Sequence, residues 1–359
     1  MPNLLQITLA QQAALSAGMI KALIDNSPLL AALSARSASG TKFTSLALTA
    51  NPSANPFVDL NEGFTTSEAA MELREFNLSL VGGQVKAERI TAALWNRENG
   101  QRVGYDWLDL QLMTKLRAQG IEQEKQIIKG TVYDAKGYPG LKQLLPFTSG
   151  NVMTAAETPA KYNFARSVIN AAGTTSNTAS SVYAVIEGEM DVQMVIGTDG
   201  GTPGEMFTVS ELVQSNEAPN PAEPTKLSLH DVQQFWGYVG LSLCGFNQTP
   251  GSVVPRQYSA RRIANLTGDS GKGLTDALMS KLSRSFGPGR TPTMFIAGSR
   301  SGEQLGASRQ ATAINYVMGQ TGDAANATYN TYPEPPDNWR GIPIIYADNA
   351  IGEDEAVEA

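Results

Sequence analysis

Histidine and cysteine are almost missing from this chain of 359 residues, which holds one of each, His230 and Cys244. A single cysteine excludes an intramolecular disulfide framework and fits a reducing compartment. With one histidine beside it, zinc spacing motifs are excluded as well. Charge is also scarce, at 17% of residues, and its formal balance is −7. A protein whose main task is gripping nucleic acid by its phosphates needs a basic stripe, so this balance argues against that class. No run of about eighteen apolar residues occurs, and the first residues, MPNLLQITLAQQAALSAGMIKALI, carry no basic leader region. Neither a membrane-spanning helix nor a secretory signal is therefore expected.

What the chain has in quantity is 34 Gly and 19 Pro, with much Ala, Ser and Thr. That is a loop-rich and strand-rich profile, long enough to bury a large core in two or three domains. Against this background residues 105–129, YDWLDLQLMTKLRAQGIEQEKQIIK, read as one long helix. Leu108, Leu112 and Leu116 repeat every four residues, and Trp107, Leu110 and Met113 widen the apolar stripe, so the helix is expected to pack on more than one side. Asp106 and Asp109 in the first turn, Lys125 and Lys129 in the last and Gly130 after it agree with the macrodipole and a C-cap.

Elsewhere the pattern is mainly β. Residues 9–24 are helical in pattern and stop at Asn26-Ser27-Pro28. TKFTSLAL from Thr41 and MELREFNLSL from Met71 bracket a long polar connection, residues 49–70, about four times the usual hairpin length. Val81-Gly82-Gly83 is expected to bend the chain before QVKAERI. A short helix is expected at Leu141–Leu145 and another near Ala160–Ala171. Two strands are expected in residues 181–197, a Pro-rich linker at 216–225, a strand over Tyr258–Leu266 and an amphipathic helix over Leu274–Phe286. TPTMFIAGS reads as a short buried strand, Leu305–Met318 as helix, and WRGIPIIYADNAI as a Gly-Pro turn and a strong strand ahead of an acidic, disordered tail.

Chemistry is thin. His230 lies in KLSLHDVQQFW between Ser228 and Asp231, where a helix N-terminal role for Ser228 and His230 outweighs a catalytic set, which needs spatial convergence. Cys244 reads as a small buried residue. GTDGGTPG, Gly197–Gly204, lacks the spacing of a phosphate loop and reads as a hairpin turn. TGDSGKG before Leu274 reads as a loop and helix cap, with a phosphate site around Lys272 as the weaker option. Residues 348–358 read as a solvated acidic tail rather than a carboxylate metal site. No catalytic residue, metal ligand or cofactor is expected. The basic cluster Arg256, Arg261 and Arg262, with Tyr258, alternates along a strand as a solvated face or as a contact for a neighbour's carboxylates or nucleic acid. Trp95, Trp107, Trp236 and Trp339 read as core or interface anchors.

Taken together, an N-terminal helix, a strand-bracketed long loop, a long helix ending in IIKGTVYDAKGYPGLKQLL, the SVYAV and RRIANL strands and a terminal WRGIPIIYADNAI resemble a major capsid protein of tailed bacteriophages. The resemblance implies an α+β fold of the Hong Kong ninety-seven coat type. It implies an N-arm at 1–40, an extended E-loop at 41–80 and a peripheral domain at 81–149 carrying the spine helix 105–129. An axial domain at 150–266, a return to the peripheral domain at 267–350 and an acidic tail at 351–359 complete the division. The function implied is a non-enzymatic shell protein that self-assembles into hexamers and pentamers of an icosahedral phage head. Such a protein belongs in the virion and, during assembly, in the host cytoplasm. Its implied partners are copies of itself, a portal, scaffold or decoration proteins, and packaged double-stranded DNA held by weak non-specific contact, with no membrane. Subunit contacts are then expected at Asn51, Pro52, Asn55, Pro56, Phe57, Asn61, Glu62 and Phe64 of the loop, and at Arg256, Arg261 and Arg262. An encapsulin-like nanocompartment shell, which carries enzyme cargo, is the alternative within the fold; a β-rich small-molecule enzyme is the alternative outside it.

Overall fold

The computed structural model describes residues 26–50, 70–100, 106–154, 166–189, 191–198, 206–217, 227–243, 259–286, 289–309, 335–352 and 354–358, with residues 63, 66 and 68 besides. In chain order the helices are α1 (Pro28–Ala32), α2 (Arg89–Trp95), α3 (Trp107–Lys129), α4 (Leu141–Leu144), α5 (Asp276–Arg284) and α6 (residues 299–309). The long helix α3 stands where the leucine spacing puts it. Leu112 and Leu116 are buried, and beyond them the inner face continues through Gln123, Glu124, Ile127 and Ile128. The Trp107 amide donates to Asn96 Oδ1 at 2.9 Å, so Asn96 caps the helix while the Asp106 side chain makes no capping bond. Gly130 ends it with φ 65°, a left-handed value that a side chain would disfavour. At about 1.5 Å per residue α3 spans roughly 35 Å.

Three sheets surround it. The first is built on β11 (Ser228–Leu243). β4 (Ser79–Glu88) pairs antiparallel along one side; β10 (Val213–Glu217), β9 (Thr208–Val209) and β8 (Val192–Thr198) follow one another along the other, and β1 (Ala35–Ser39) adds parallel to β8. The second runs β14 (Asn338–Trp339), β15 (Ile342–Tyr346), β13 (Met294–Ala297), β7 (Ser180–Val185), β12 (Ala260–Leu266), β6 (Val168–Asn170), β5 (Val152–Thr154). The third is the two-stranded ribbon of β2 (Lys42–Ala50) and β3 (Ala70–Asn77). The architecture is α+β. Strands of the expected 150–266 domain are shared between the two large sheets, and β1 and β4, from outside that range, join the first.

The second sheet is buried on both faces. Along β7, Tyr183 and Val185 face the core shared with α1, α3 and α4, whereas Val182 and Ala184 face a second core under α5 and α6. In β13 the same alternation sends Met294 and Ile296 one way and Phe295 and Ala297 the other. This two-sided burial explains why both segments read as continuous apolar runs. α5 starts two residues after the expected Leu274, because Thr275 caps it: the Leu278 amide donates to Thr275 Oγ1 at 3.4 Å. α6 begins ahead of its expected start at Leu305, because the Asp348 carboxylate accepts the Ser299 amide at 2.6 Å.

Three local expectations are corrected. Val81-Gly82-Gly83 does not bend the chain, for both glycines lie inside β4, opposite Trp236 and Phe235 of β11. A Cβ at Gly83 would fall 2.7 Å from Phe235 Cζ, so glycine there admits the ring. The break between strands comes instead at Leu78, which is buried with Phe43 and Val195. The expected helix start at Ser228 and His230 is β strand, since ladder bonds on both sides of β11 outweigh the local cap preference of serine. Residues 160–165 of the expected helix near Ala160–Ala171 lie outside the described residues, and Val168–Asn170 is strand.

Candidate functional site

The ribbon of β2 and β3 is the candidate for contact with other chains. Its register sets Phe43 opposite Phe76 and Leu46 opposite Leu73. At its base Phe43 and Phe76 pack on Leu78 and Val195, with the Arg36 guanidinium 5.5 Å from the centre of the Phe43 ring. Further out the ribbon's apolar side chains face solvent: Leu46 is 38% exposed, Met71 59% and Leu73 70%. Lys42 and Glu75 form an ion pair on the same strands. The loop positions expected to make contacts, Asn51, Pro52, Asn55, Pro56, Phe57, Asn61, Glu62 and Phe64, lie outside the described residues, as does Arg256.

Arg261 and Arg262 are not surface residues. They are 0% and 1% exposed, and alternation along β12 sends them to opposite faces of the second sheet. Arg261 lies over the Phe286 ring at 5.3 Å and donates from Nε to Ser285 O at 3.1 Å. Arg262 lies over Tyr183 at 5.8 Å and donates from Nη1 and Nη2 to Glu358 Oε2 and Oε1 at 2.8 and 2.7 Å. Their charges are spent inside the subunit. The expected interface role for this pair is therefore corrected to a structural one.

The same contacts correct the reading of the tail as solvated. Glu355 is 8% exposed and pairs through its main chain with Ala179, N to O 3.1 Å in both directions. Its Oε2 accepts from Lys142 Nζ at 2.9 Å and Ser181 Oγ at 3.1 Å. The Asn265 amide donates to Glu358 O at 2.8 Å and accepts from Glu358 N at 2.9 Å. Asn265 has φ 60° at the irregularity where β12 slips against β7, which frees its side chain for this task. Burial pushes the Glu358 carboxyl up, but the Arg262 hydrogen bonds and the charges of Arg262 and Lys142 prevail and hold it below the usual range.

A second buried carboxylate ties three distant segments. Glu124 of α3 is 0% exposed; its Oε1 accepts the Leu29 amide of α1 at 3.2 Å and its Oε2 accepts from Asn349 Nδ2 at 2.7 Å. Asn349 Nδ2 also donates to Asn26 O at 2.7 Å. Burial, helped by the charge of Asp348, raises the Glu124 carboxyl above its ordinary value against these two hydrogen bonds. The start of the described chain, the long helix and the last turn before the tail thus meet at one side chain.

With this geometry in view, comparison with known proteins gives one kind of match. No family model matches, and no curated protein does. Among solved structures the chain is similar to one of bacteriophage Epsilon15, with 14% identity, 89% of this chain and 86% of that chain covered and a TM-score of 0.45. It is similar to one from the procapsid of bacteriophage JBD30, with 8% identity, 88% and 94% covered and a TM-score of 0.36. It is also similar to one from the holo-SrpI encapsulin complex of Synechococcus elongatus PCC 7942, with 12% identity, 72% and 90% covered and a TM-score of 0.39.

Among the described residues, no catalytic arrangement forms around those considered for one. His230 Nδ1 is 3.4 Å from Ser228 Oγ on the same strand, but Asp231 follows His230 directly and the strand turns it to the opposite face. In the TGDSGKG loop the Asp269 carboxylate already accepts the Thr174 and Thr175 amides at 2.9 and 3.1 Å and Thr267 Oγ1 at 2.9 Å, which holds it far below the ordinary range. A carboxylate so placed would repel a phosphate. No group of three His, Cys, Asp or Glu suited to a metal occurs among the described residues. Cys244 and residues 199–205 of the Gly-rich stretch lie outside them. An open cleft of about 310 Å³ separates β4 from the second half of α3, lined by Leu80, Gln119, Glu122, Gln126 and Tyr133 among others. Sequence reasoning missed Glu124, Glu355 and Glu358 as structural groups; the one local signal was an acidic residue breaking the apolar face of α3.

Proposed function

We propose that this chain is a structural, non-enzymatic shell subunit of the Hong Kong ninety-seven coat type, building hexamers and pentamers of an icosahedral phage head around double-stranded DNA. The ribbon of β2 and β3 carries the reading. A two-stranded ribbon is marginal in water by itself, and this one turns Leu46, Met71 and Leu73 outward beyond its packed base. Covering that face with a second copy removes apolar surface from water, and a contact between unlike patches of identical chains closes into rings where the rotation from copy to copy is a whole fraction of a turn. In this reading residues up to 40 are the N-arm, residues 41–80 the E-loop with contacts from Asn51 to Phe64, and α3 the spine. The net charge of −7 fits a lining that holds packaged DNA weakly, leaving packing and ejection unopposed. Portal, scaffold or decoration proteins are the further partners, and the host cytoplasm the place of assembly.

The test is the full chain expressed by itself, viewed by negative-stain microscopy and sized by light scattering. Rings of five or six subunits, or closed shells, are expected. A discrete monomer at milligram-per-millilitre concentration overturns the reading.

A further inference from the structure

Residues 354–358 are attached to the subunit as a separate peptide is attached to a receptor. Up to Ile351 the chain is anchored by apolar burial. Beyond it none of the described residues joins an apolar cluster, Val357 included. The segment is held by extended main-chain pairing of Glu355 with Ala179, by the two-way bond with the Asn265 amide, and by the two carboxylates, three residues apart, each with its own partners. Main-chain pairing with pockets for particular side chains is how extended peptides are captured.

The walls of the socket are made by other parts of the fold. Ser181 and Arg262 lie on central strands of the second sheet, and Lys142 lies on α4 beside the buried Leu141. Within the socket Tyr183 is fully buried, its ring 5.8 Å from the Arg262 guanidinium, while Glu355 Oε1 of the segment has no hydrogen-bond partner among the described residues. Arg262, buried as it is, requires an anion whether or not this one stays.

We propose that Lys142, Ser181, Arg262 and Asn265 form a receptor for an acidic peptide with two glutamates three residues apart, and that the chain's own C-terminal residues are a strap that leaves and re-enters it. The test uses the full chain carrying E355Q and E358Q together, with a fluorescein-labelled peptide of residues 353–359 as probe. Fluorescence anisotropy is expected to show saturable binding to the double variant, at least about tenfold tighter than to the unmodified chain, whose own strap competes. The same peptide with Gln at both positions is expected not to bind. Equal binding of the two peptides, equal affinity for the two chains, or no binding to a variant whose circular dichroism is native overturns the proposal. Should the double variant fail to fold, the peptide is added during refolding: recovery of soluble protein that the Gln peptide does not give supports the socket, and no recovery overturns it.

Discussion

Arg262 and Glu358 meet side to side, two parallel N–H···O bonds of 2.8 and 2.7 Å joining a guanidinium in the middle of a sheet to a carboxylate in the last turn of chain. Fork-to-fork pairing of this kind is the stronger class of ion pair. Removing Glu358 leaves the buried Arg262 with only the weaker contact to Glu355 Oε2, 3.7 Å from Nη2, so Glu358→Gln is expected to cost about 2–4 kcal/mol in urea unfolding. Adding Arg262→Met should recover part of that loss, because the poorly compensated buried charge goes with it. No recovery in the double variant would show that the pair is not coupled.

The pH dependence of the same pair has a definite sign. Glu358 is held below its unfolded value, so the folded state binds fewer protons and stability falls as pH drops. Its contribution is complete above the unfolded glutamate range, about 4.3, and is lost as pH falls through the lower folded value. Chemical unfolding measured from pH 7 to 3 should show this acid limb in the native chain and a shallower one in Glu358→Gln.

Glu124 behaves in the opposite sense. Its folded carboxyl is raised by burial, so the folded state favours the proton, and stability from this group is present below about 4.3 and declines as pH rises through the folded value. Glu124→Gln should remove that decline while losing one of the two accepted hydrogen bonds. The difference in unfolding free energy between variant and native chain should therefore move in the variant's favour from pH 4 to 7. A constant difference would refute the burial argument.

On the ribbon, Leu46→Lys with Leu73→Glu replaces two exposed apolar side chains that face each other by an opposite-charge pair, so the subunit's own stability should change by no more than about 0.5 kcal/mol per site. Assembly should nevertheless be lost, as read by light scattering. Full-sized particles from this variant would take the ribbon out of the contact.

Leu116→Asp tests the long helix. Leu116 is 2% exposed in the largest core, and an unpaired carboxylate there costs several kcal/mol. Insoluble protein is expected, and a soluble variant with native circular dichroism would contradict the packing described.

Much of this was legible residue by residue. The four-residue leucine spacing and Gly130 determined α3, and the WRGIPIIY stretch announced a turn ahead of β15, which Arg340-Gly341 make with φ 52° and 80° while Pro343 lies in the strand. These features are local, written within a turn or two of helix or a hairpin.

Tertiary structure alone decided the rest. Ser228 and His230 favour a helix start by local chemistry, but pairing with β10, and for His230 with β4 as well, drew them into β11. Arg261 and Arg262 alternate as a solvated face would, but a sheet covered on both sides turns one toward Phe286 and the other toward Glu358, 96 residues away. Adjacent residues say whether a segment is helix or strand; what a charge at the end of a side chain will meet depends on distant chain that only folding brings near.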